Sequence, residues 1–180
     1  MSRDRVWLES APALRRCGVK GPRAAALLAE LGIDVPKAPN SWAPLRPADR
    51  DESHNVVARL GTTEFFIEEV ADGHTIATLD ARCAAGMPGV YPVLREDIAL
   101  RLGGVAAPAA LAEVCNVDFA PVPPGKPIAM TLMIGVGVLV LPQQHDAGRI
   151  FRIWCDPSFG SYLQHELEAV VTRIQSERAQ

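Results

Sequence analysis

The segment RIWCDPSFGSYLQHELEAVV, residues 152–171, comes nearest to a catalytic arrangement in this chain. Cys155 and Asp156 follow an extended apolar run and precede an amphipathic helical pattern, so the thiol is expected near a helix N-terminus, where thiol pKa values fall. The alternative is a plain junction, in which Cys155 packs as a small apolar residue, Asp156 caps the helix and Pro157 starts it. The junction is favoured because no histidine is adjacent in sequence to activate the thiol.

Other candidates for acid, base or metal chemistry are scattered. Neighbouring acidic residues on a strand point to opposite faces, so neither acidic pair is expected to converge on one substrate atom; these pairs are Glu68-Glu69 and Glu96-Asp97. Each histidine is expected to be a solvated surface residue rather than a general base; the four are His54, His74, His145 and His165. We therefore predict no catalytic residue in this chain.

The cysteines and glycines also lack the spacing of a cofactor or metal site. Each thiol stands alone, without a C-x-x-C pair or a nearby histidine; the four are Cys17, Cys83, Cys115 and Cys155. Gly135 and Gly137 begin a dinucleotide fingerprint, but the third glycine position holds Val140. No phosphate-binding P-loop is present either. We expect reduced thiols, and no cofactor-binding or metal-binding residue.

The composition is that of a soluble globular protein. The 180 residues are 48% hydrophobic and 22% charged, with a net charge of -3, so a basic surface for nucleic acid or anionic membrane is not expected. The longest apolar run, residues 128–141, is too short to span a bilayer. The first ten residues lack the apolar segment of a signal peptide. We expect a cytoplasmic protein with neither nucleic-acid nor membrane partners.

Two segments about 83 residues apart follow one plan, which predicts two similar halves. Residues 21–35 place Pro22 at a helix start and Gly32 at its end, and residues 105–119 repeat this with Pro108 and with Leu-Ala-Glu-Val echoing Leu-Ala-Glu-Leu. Each is followed by a Pro-rich stretch and then by runs typical of strands. Two further helices are predicted, over residues 73–85 and from Ser158 onward.

Strand pairs that alternate with helices, twice over, indicate an α+β fold with antiparallel sheets covered by helices. We predict one compact domain, 1–180, built of halves at about 17–88 and 89–175, with a Pro-rich loop at 36–54. Trp42 in that loop and Trp154 are candidates for a partner interface, since aromatic residues carry much interface energy. For Trp42, burial in its own core is an equally open alternative.

Ordered segments along the chain resemble the gamma subunit family of heterotetrameric sarcosine oxidase, and in particular the branch of N-methylglutamate dehydrogenase. These segments are GVKGPRAAALL, APNSW, VARLGTTEFFIEE, GVYPVLREDIALRL, CNVDF, MTLMIGVGVLVLP and FRIWCDPSFGSYL. The resemblance spans roughly residues 17–171. It implies a reduced form of the folate-binding fold of the glycine-cleavage aminomethyltransferases.

The resemblance further implies a noncatalytic subunit that assembles with alpha, beta and delta subunits. Such a complex oxidises an N-methyl amino acid and passes the one-carbon unit to tetrahydrofolate, as in methylamine utilisation. It carries FAD, FMN, NAD, tetrahydrofolate and zinc on the other subunits. N-methylglutamate is favoured as the substrate and sarcosine comes next.

One departure from the family pattern bears on folate. Relatives carry an acidic residue in a segment that corresponds here to Tyr91–Arg95, which holds none. A free-standing folate-binding or small-ligand-binding protein of the same fold stays the alternative function.

Overall fold

The computed structural model describes residues 6–45, 55–121, 125–145 and 148–177, and in these ranges the chain forms ten strands and four helices. The strands are β1 (Trp7–Ser10), β2 (Arg15–Lys20), β3 (Ser41–Pro44), β4 (Val56–Arg59), β5 (Glu64–Glu69), β6 (Tyr91–Val93), β7 (Ile98–Gly103), β8 (Ala129–Met133), β9 (Val136–His145) and β10 (Gly148–Cys155). The helices are α1 (Ala24–Glu30), α2 (Thr75–Ala84), α3 (Ala107–Val114) and α4 (Gly160–Glu177).

The strands form two antiparallel five-stranded sheets, one in each of two compact units. The first unit comprises Met1–Pro12 and Asp97–Gln180, with sheet order β1-β7-β10-β9-β8; the second comprises Ala13–Glu96, with order β3-β4-β5-β2-β6. The predicted α+β class is therefore confirmed. The predicted single domain, with halves at 17–88 and 89–175, stays a prediction.

The two units share one topology. The succession β2-α1-β3-β4-β5-α2 in the second unit matches β7-α3-β8-β9-β10-α4 in the first, with the same neighbours in each sheet. Gly21 and Gly104, 83 positions apart, both have positive φ, +123° and +105°, which favours glycine. Their carbonyls accept equivalent bonds from Ala24 (3.0 Å) and Ala107 (3.1 Å). The predicted similarity of the halves is thus confirmed.

The paired helices α1 and α3 end differently. Gly32, with φ +75°, ends α1 in a Schellman motif: its N–H donates to Ala29 O (3.0 Å) and that of Ile33 donates to Leu28 O (2.9 Å). In contrast, α3 runs into extended backbone at Cys115, which bridges to Met133. The predicted end signal at Gly32 is confirmed, and α3 ends without a corresponding glycine turn.

The predicted Pro-rich loop at 36–54 is not entirely loop. Ser41–Pro44 forms β3, which pairs with β4, and residues 46–54 lie outside the described residues. The strands predicted after the Pro-rich stretch form the antiparallel pair of β4 and β5, and the helix predicted at 73–85 is confirmed as α2. The helix predicted from Ser158 onward begins instead at Gly160, because a 3-10 turn, Pro157–Phe159, precedes α4; Phe159 in this turn is half exposed.

Candidate functional site

The Cys-Asp pair lies where β10 ends. The strand stops at Cys155, and the Asp156 carboxylate accepts hydrogen bonds from the backbone N–H of Ser158 (2.9 Å) and from its hydroxyl. Pro157 then starts the 3-10 turn that leads into α4. The predicted strand-to-helix junction is confirmed, with one added turn between cap and helix.

The Cys155 thiol faces the interior of its unit. Its exposed fraction is 2%, and it belongs to the same apolar cluster as Ile153 and Leu163. Burial, and then the charges of Asp97 and Asp156, raises the pKa of Cys155 to about 11. The thiol is therefore protonated at neutral pH, and since the thiolate is the attacking form, Cys155 is a packing residue rather than a nucleophile.

The other thiols are no better activated. Burial, followed by the charges of Asp80 and Glu69, raises the pKa of Cys17 to about 12. Burial also raises the pKa of Cys83. The sulfur of Cys115 accepts the backbone N–H of Val117 at 3.3 Å, within a turn. All four thiols are free, as predicted.

The acidic pair on β5 is buried but not convergent. Glu68 and Glu69 are 0% and 2% exposed. Glu68 forms an ion pair with Arg16 on the neighbouring strand, whereas Glu69 accepts the backbone N–H groups of Thr75 (3.0 Å) and Ile76 (2.7 Å) at the start of α2. The prediction that the two carboxylates diverge is confirmed, and each has a structural role.

The two histidines whose side chains the structure describes do not complete a catalytic group. His74 and His165 are exposed, on the N-terminal cap of α2 and on α4, which confirms the surface prediction for both. His54 lies outside the described residues, and His145 ends β9 with a side chain that is not described. Glu96 and Asp97 lie in the connection before β7 rather than on a strand.

The two tryptophans named as interface candidates are interior residues. Trp42 is 5% exposed on β3, and Trp154 is 1% exposed on β10, where the Arg152 guanidinium lies 4.9 Å from its ring centroid. Side chains this buried offer little area to another protein, so their burial argues against interface anchors. The core alternative for Trp42 is the one the structure favours, and the interface assignment stays an untested prediction.

Two small clefts occur within the described units. The first, about 200 Å³, is mostly apolar and lies between the start of β8 and the turn after α3; it is lined by Val117, Asp118, Phe119, Pro121, Pro127, Ile128, Ala129, Pro142 and Arg149. The guanidinium of Arg149 donates hydrogen bonds to the carbonyls of Phe119 (2.5 Å), Ala120 (2.5 Å) and Pro121 (3.0 Å). Arg149 therefore stabilises the turn after α3. The second cleft, about 140 Å³, includes Gly32 and His74.

Neither a metal site nor a membrane span is found within the described ranges. There, no group of three or more histidine, cysteine or acidic side chains is placed to hold a metal ion. In that same part of the chain, no helix is both long and apolar enough to cross a bilayer.

One surface feature was not predicted from the sequence. Met130 and Leu132 on β8 are 57% and 63% exposed, whereas Ala129 and Thr131 are partly buried and Met133 is buried. The signal in the sequence was a strand pattern in a stretch without charge, which put large apolar residues on both faces.

Comparison with solved structures identifies relatives of this fold. Heterotetrameric sarcosine oxidase from Corynebacterium sp. U-96, in complex with pyrrole 2-carboxylate, matches with a TM-score of 0.77 and 22% identity, over 96% of this chain and 87% of that chain. The glycine cleavage system aminomethyltransferase T from Bartonella henselae matches with a TM-score of 0.63 and 15% identity, over 92% of this chain. The chain spans just under half (46%) of that aminomethyltransferase chain.

Comparisons by sequence give no match. Neither a family profile nor a curated protein matches the chain. At these identities the structural likeness shows the fold, which is the one shared by a sarcosine oxidase chain and an aminomethyltransferase, and both relationships agree with the resemblance stated from sequence.

Proposed function

We propose that this chain is the small, noncatalytic gamma-type subunit of a heterotetrameric flavin-dependent dehydrogenase or oxidase of N-methyl amino acids. The observation that carries the proposal is the match over most of both chains to a chain of a heterotetrameric sarcosine oxidase, which makes the two chains similar in length as well as in fold. The partners are then alpha, beta and delta subunits in the cytoplasm, and N-methylglutamate is favoured over sarcosine as the substrate.

The described side chains support a role in assembly rather than in chemistry. Cys155 is a protonated packing residue, and the buried carboxylates of Glu68 and Glu69 are held by Arg16 and by the start of α2. We accordingly propose that flavins, NAD, tetrahydrofolate and zinc bind to the other subunits of the complex.

Neither of the two clefts is large enough for tetrahydrofolate. Ligands of that size occupy pockets of about 300–1,000 Å³, and the two clefts measure about 200 and 140 Å³. Asp118 lines the first cleft, and its carboxylate accepts the backbone N–H of Ala120 at 2.8 Å. Neither cleft therefore supports the alternative of a free-standing folate-binding protein.

Affinity purification of the tagged chain from its native host tests the proposal. We expect yellow, flavin-containing material that oxidises N-methylglutamate faster than sarcosine. Faster oxidation of sarcosine would correct the substrate and keep the subunit assignment. Recovery of the chain alone, together with heat of binding to a reduced folate in calorimetry, would instead favour the free-standing alternative.

A further inference from the structure

Strand β8 is an edge strand that exposes apolar side chains to solvent. It is the last strand in the order β1-β7-β10-β9-β8, and Met130 and Leu132 are 57% and 63% exposed. Because side chains alternate along a strand, both lie on the face opposite to Met133, which is fully buried in the core. One face of β8 therefore packs in the unit, and the other displays two large apolar groups.

This strand lacks the features that protect an edge strand from pairing with other chains in a monomeric protein. Such strands usually carry charged side chains, proline or bulges. Here residues 127–142, PIAMTLMIGVGVLVLP, contain no charged residue, and the interior of β8 contains no proline. Among the described residues, Met133 at the end of β8 bridges to Cys115. Exposed apolar residues in this setting are typical of a protein interface.

The space beside Leu132 is open. The partner of Leu132 across the sheet is Gly137 on β9, which is exposed and around which a Cβ would meet no atom within 4 Å. The neighbouring pair joins Met130 to Leu139, which is 9% exposed. These four residues share one face of the sheet, so an apolar side chain of another protein can reach Gly137 without displacing an atom there.

We propose that the β8 face, defined as Met130, Leu132, Gly137 and Leu139, docks on an uncharged, apolar surface of another subunit of the same complex. The inference rests on the proposed function. The occupant is a different chain rather than a second copy, because the proposed function puts this chain in a complex with unlike subunits. An apolar partner surface is required, since a charged group buried against this uncharged strand would lose its hydration without gaining a partner.

Two substitutions on the face and one matched control test the docking. Leu132→Glu places a charge on the face, and Gly137→Arg places a large charged side chain at a position where its Cβ meets no atom of this chain within 4 Å. Val105→Arg is the control, since Val105 is 61% exposed in the same unit and follows β7, which is three strands away from β8 in the sheet order. Each tagged chain is purified from its native host, and circular dichroism of the isolated variant checks the fold.

We expect the wild type and V105R to co-purify with the flavin-containing subunits. We expect L132E and G137R to recover at least about tenfold less of these subunits, which is the loss typical of a central interface contact. Equal recovery with both face variants would overturn the docking proposal and leave the proposed function intact. If the wild type itself recovers no flavin-containing partner, the proposed function fails. A homodimer of the wild type that dissociates on Gly137→Arg would show that the face binds a second copy of this chain, and would overturn the proposed binding to another subunit. If Leu132→Glu fails to fold, the result for Gly137→Arg alone decides between docking and no docking.

Discussion

The two units place different chemistry at the same position of the same fold. Cys17 pairs with Ile67 across β2 and β5, and Leu100 pairs with Ile153 across β7 and β10. Two residues further along, β5 ends at Glu69 and β10 ends at Cys155, each just before the second helix of its unit. Glu69 and Cys155 are therefore equivalent, although one is an acid and the other a thiol.

The two units differ in the side chain that accepts hydrogen bonds from the backbone N–H groups at the start of the second helix. In the second unit the buried Glu69 carboxylate binds the first N–H groups of α2. In the first unit Asp156, one residue later and exposed, caps the 3-10 turn, and Cys155 joins the apolar core. The Glu69 carboxylate thus binds the start of a helix and the Cys155 thiol packs in the core, which supports the proposed noncatalytic role.

Removal of the Glu69 carboxylate is expected to have the largest effect. Glu69→Ala leaves the N–H groups of Thr75 and Ile76 without their acceptor near the core, at a cost of about 3 kcal/mol in the free energy of unfolding. Glu69→Gln keeps one acceptor oxygen and is expected to lose less. Urea unfolding monitored by circular dichroism measures both, and equal stability of Glu69→Ala and the wild type would contradict this role.

Gly73→Ala tests the same contact from the other side. A Cβ at Gly73 would collide with the Glu69 carboxylate and push it away from α2, so we expect a loss of about 2 kcal/mol. Gly137→Ala is the matched control, because a Cβ there meets no neighbour. Equal stability of the two variants in urea would show that the carboxylate is free to move.

The Cys155 position predicts a pH dependence. Its pKa of about 11 lies above the value of 9.0 for an ordinary thiol, so the folded state holds the proton more tightly. The stabilisation is complete below pH 9 and is lost as the pH rises toward 11, by between about 1 and 2 kcal/mol. The stability gap between wild type and Cys155→Ala should therefore narrow over this interval, and a constant gap would contradict a buried thiol.

Alkylation provides an independent measure of the same thiol. At pH 8, iodoacetamide followed by mass spectrometry should modify Cys83, which is partly exposed, well before Cys155 or Cys17. Rapid modification of Cys155 in the folded chain would identify it as a reactive thiol after all.

Asp156 is expected to give the smallest effect. Its pKa is lowered by the Ser158 hydroxyl and then by the Ser158 N–H, so its contribution is present above the ordinary value of 3.8 and disappears as the pH falls through the lowered value. Asp156→Ala should lower the unfolding temperature at pH 7 by less than Glu69→Ala does, and by progressively less as the pH falls below 3.8. A larger drop in unfolding temperature for Asp156→Ala than for Glu69→Ala would show that Asp156 stabilises its helix start more than Glu69 does.

Regular patterns made most of the fold predictable from sequence. The glycine that ends α1 and the Asp-Pro pair before α4 act through neighbouring residues, so their local signals were sufficient. Strands β1, β2 and β3 were not predicted, because Trp7–Ser10, Arg15–Lys20 and Ser41–Pro44 are short and mixed in polarity, and are held by their neighbours in the sheets.

Tertiary contacts account for what the sequence could not show about the site. The role of Glu69 depends on α2, which begins six residues later and returns to the strand end only in the folded chain. Likewise, the burial of Trp42 depends on packing across β3 and not on its Pro-rich surroundings.

Native mass spectrometry of the tagged chain, purified from its host, tests whether the chain is a noncatalytic subunit of a larger complex. We expect one copy of this 19.4 kDa chain in a four-subunit assembly, with flavin released from a different subunit when the assembly is dissociated. A lone chain, or a flavin that stays with this chain after dissociation, would contradict a noncatalytic subunit.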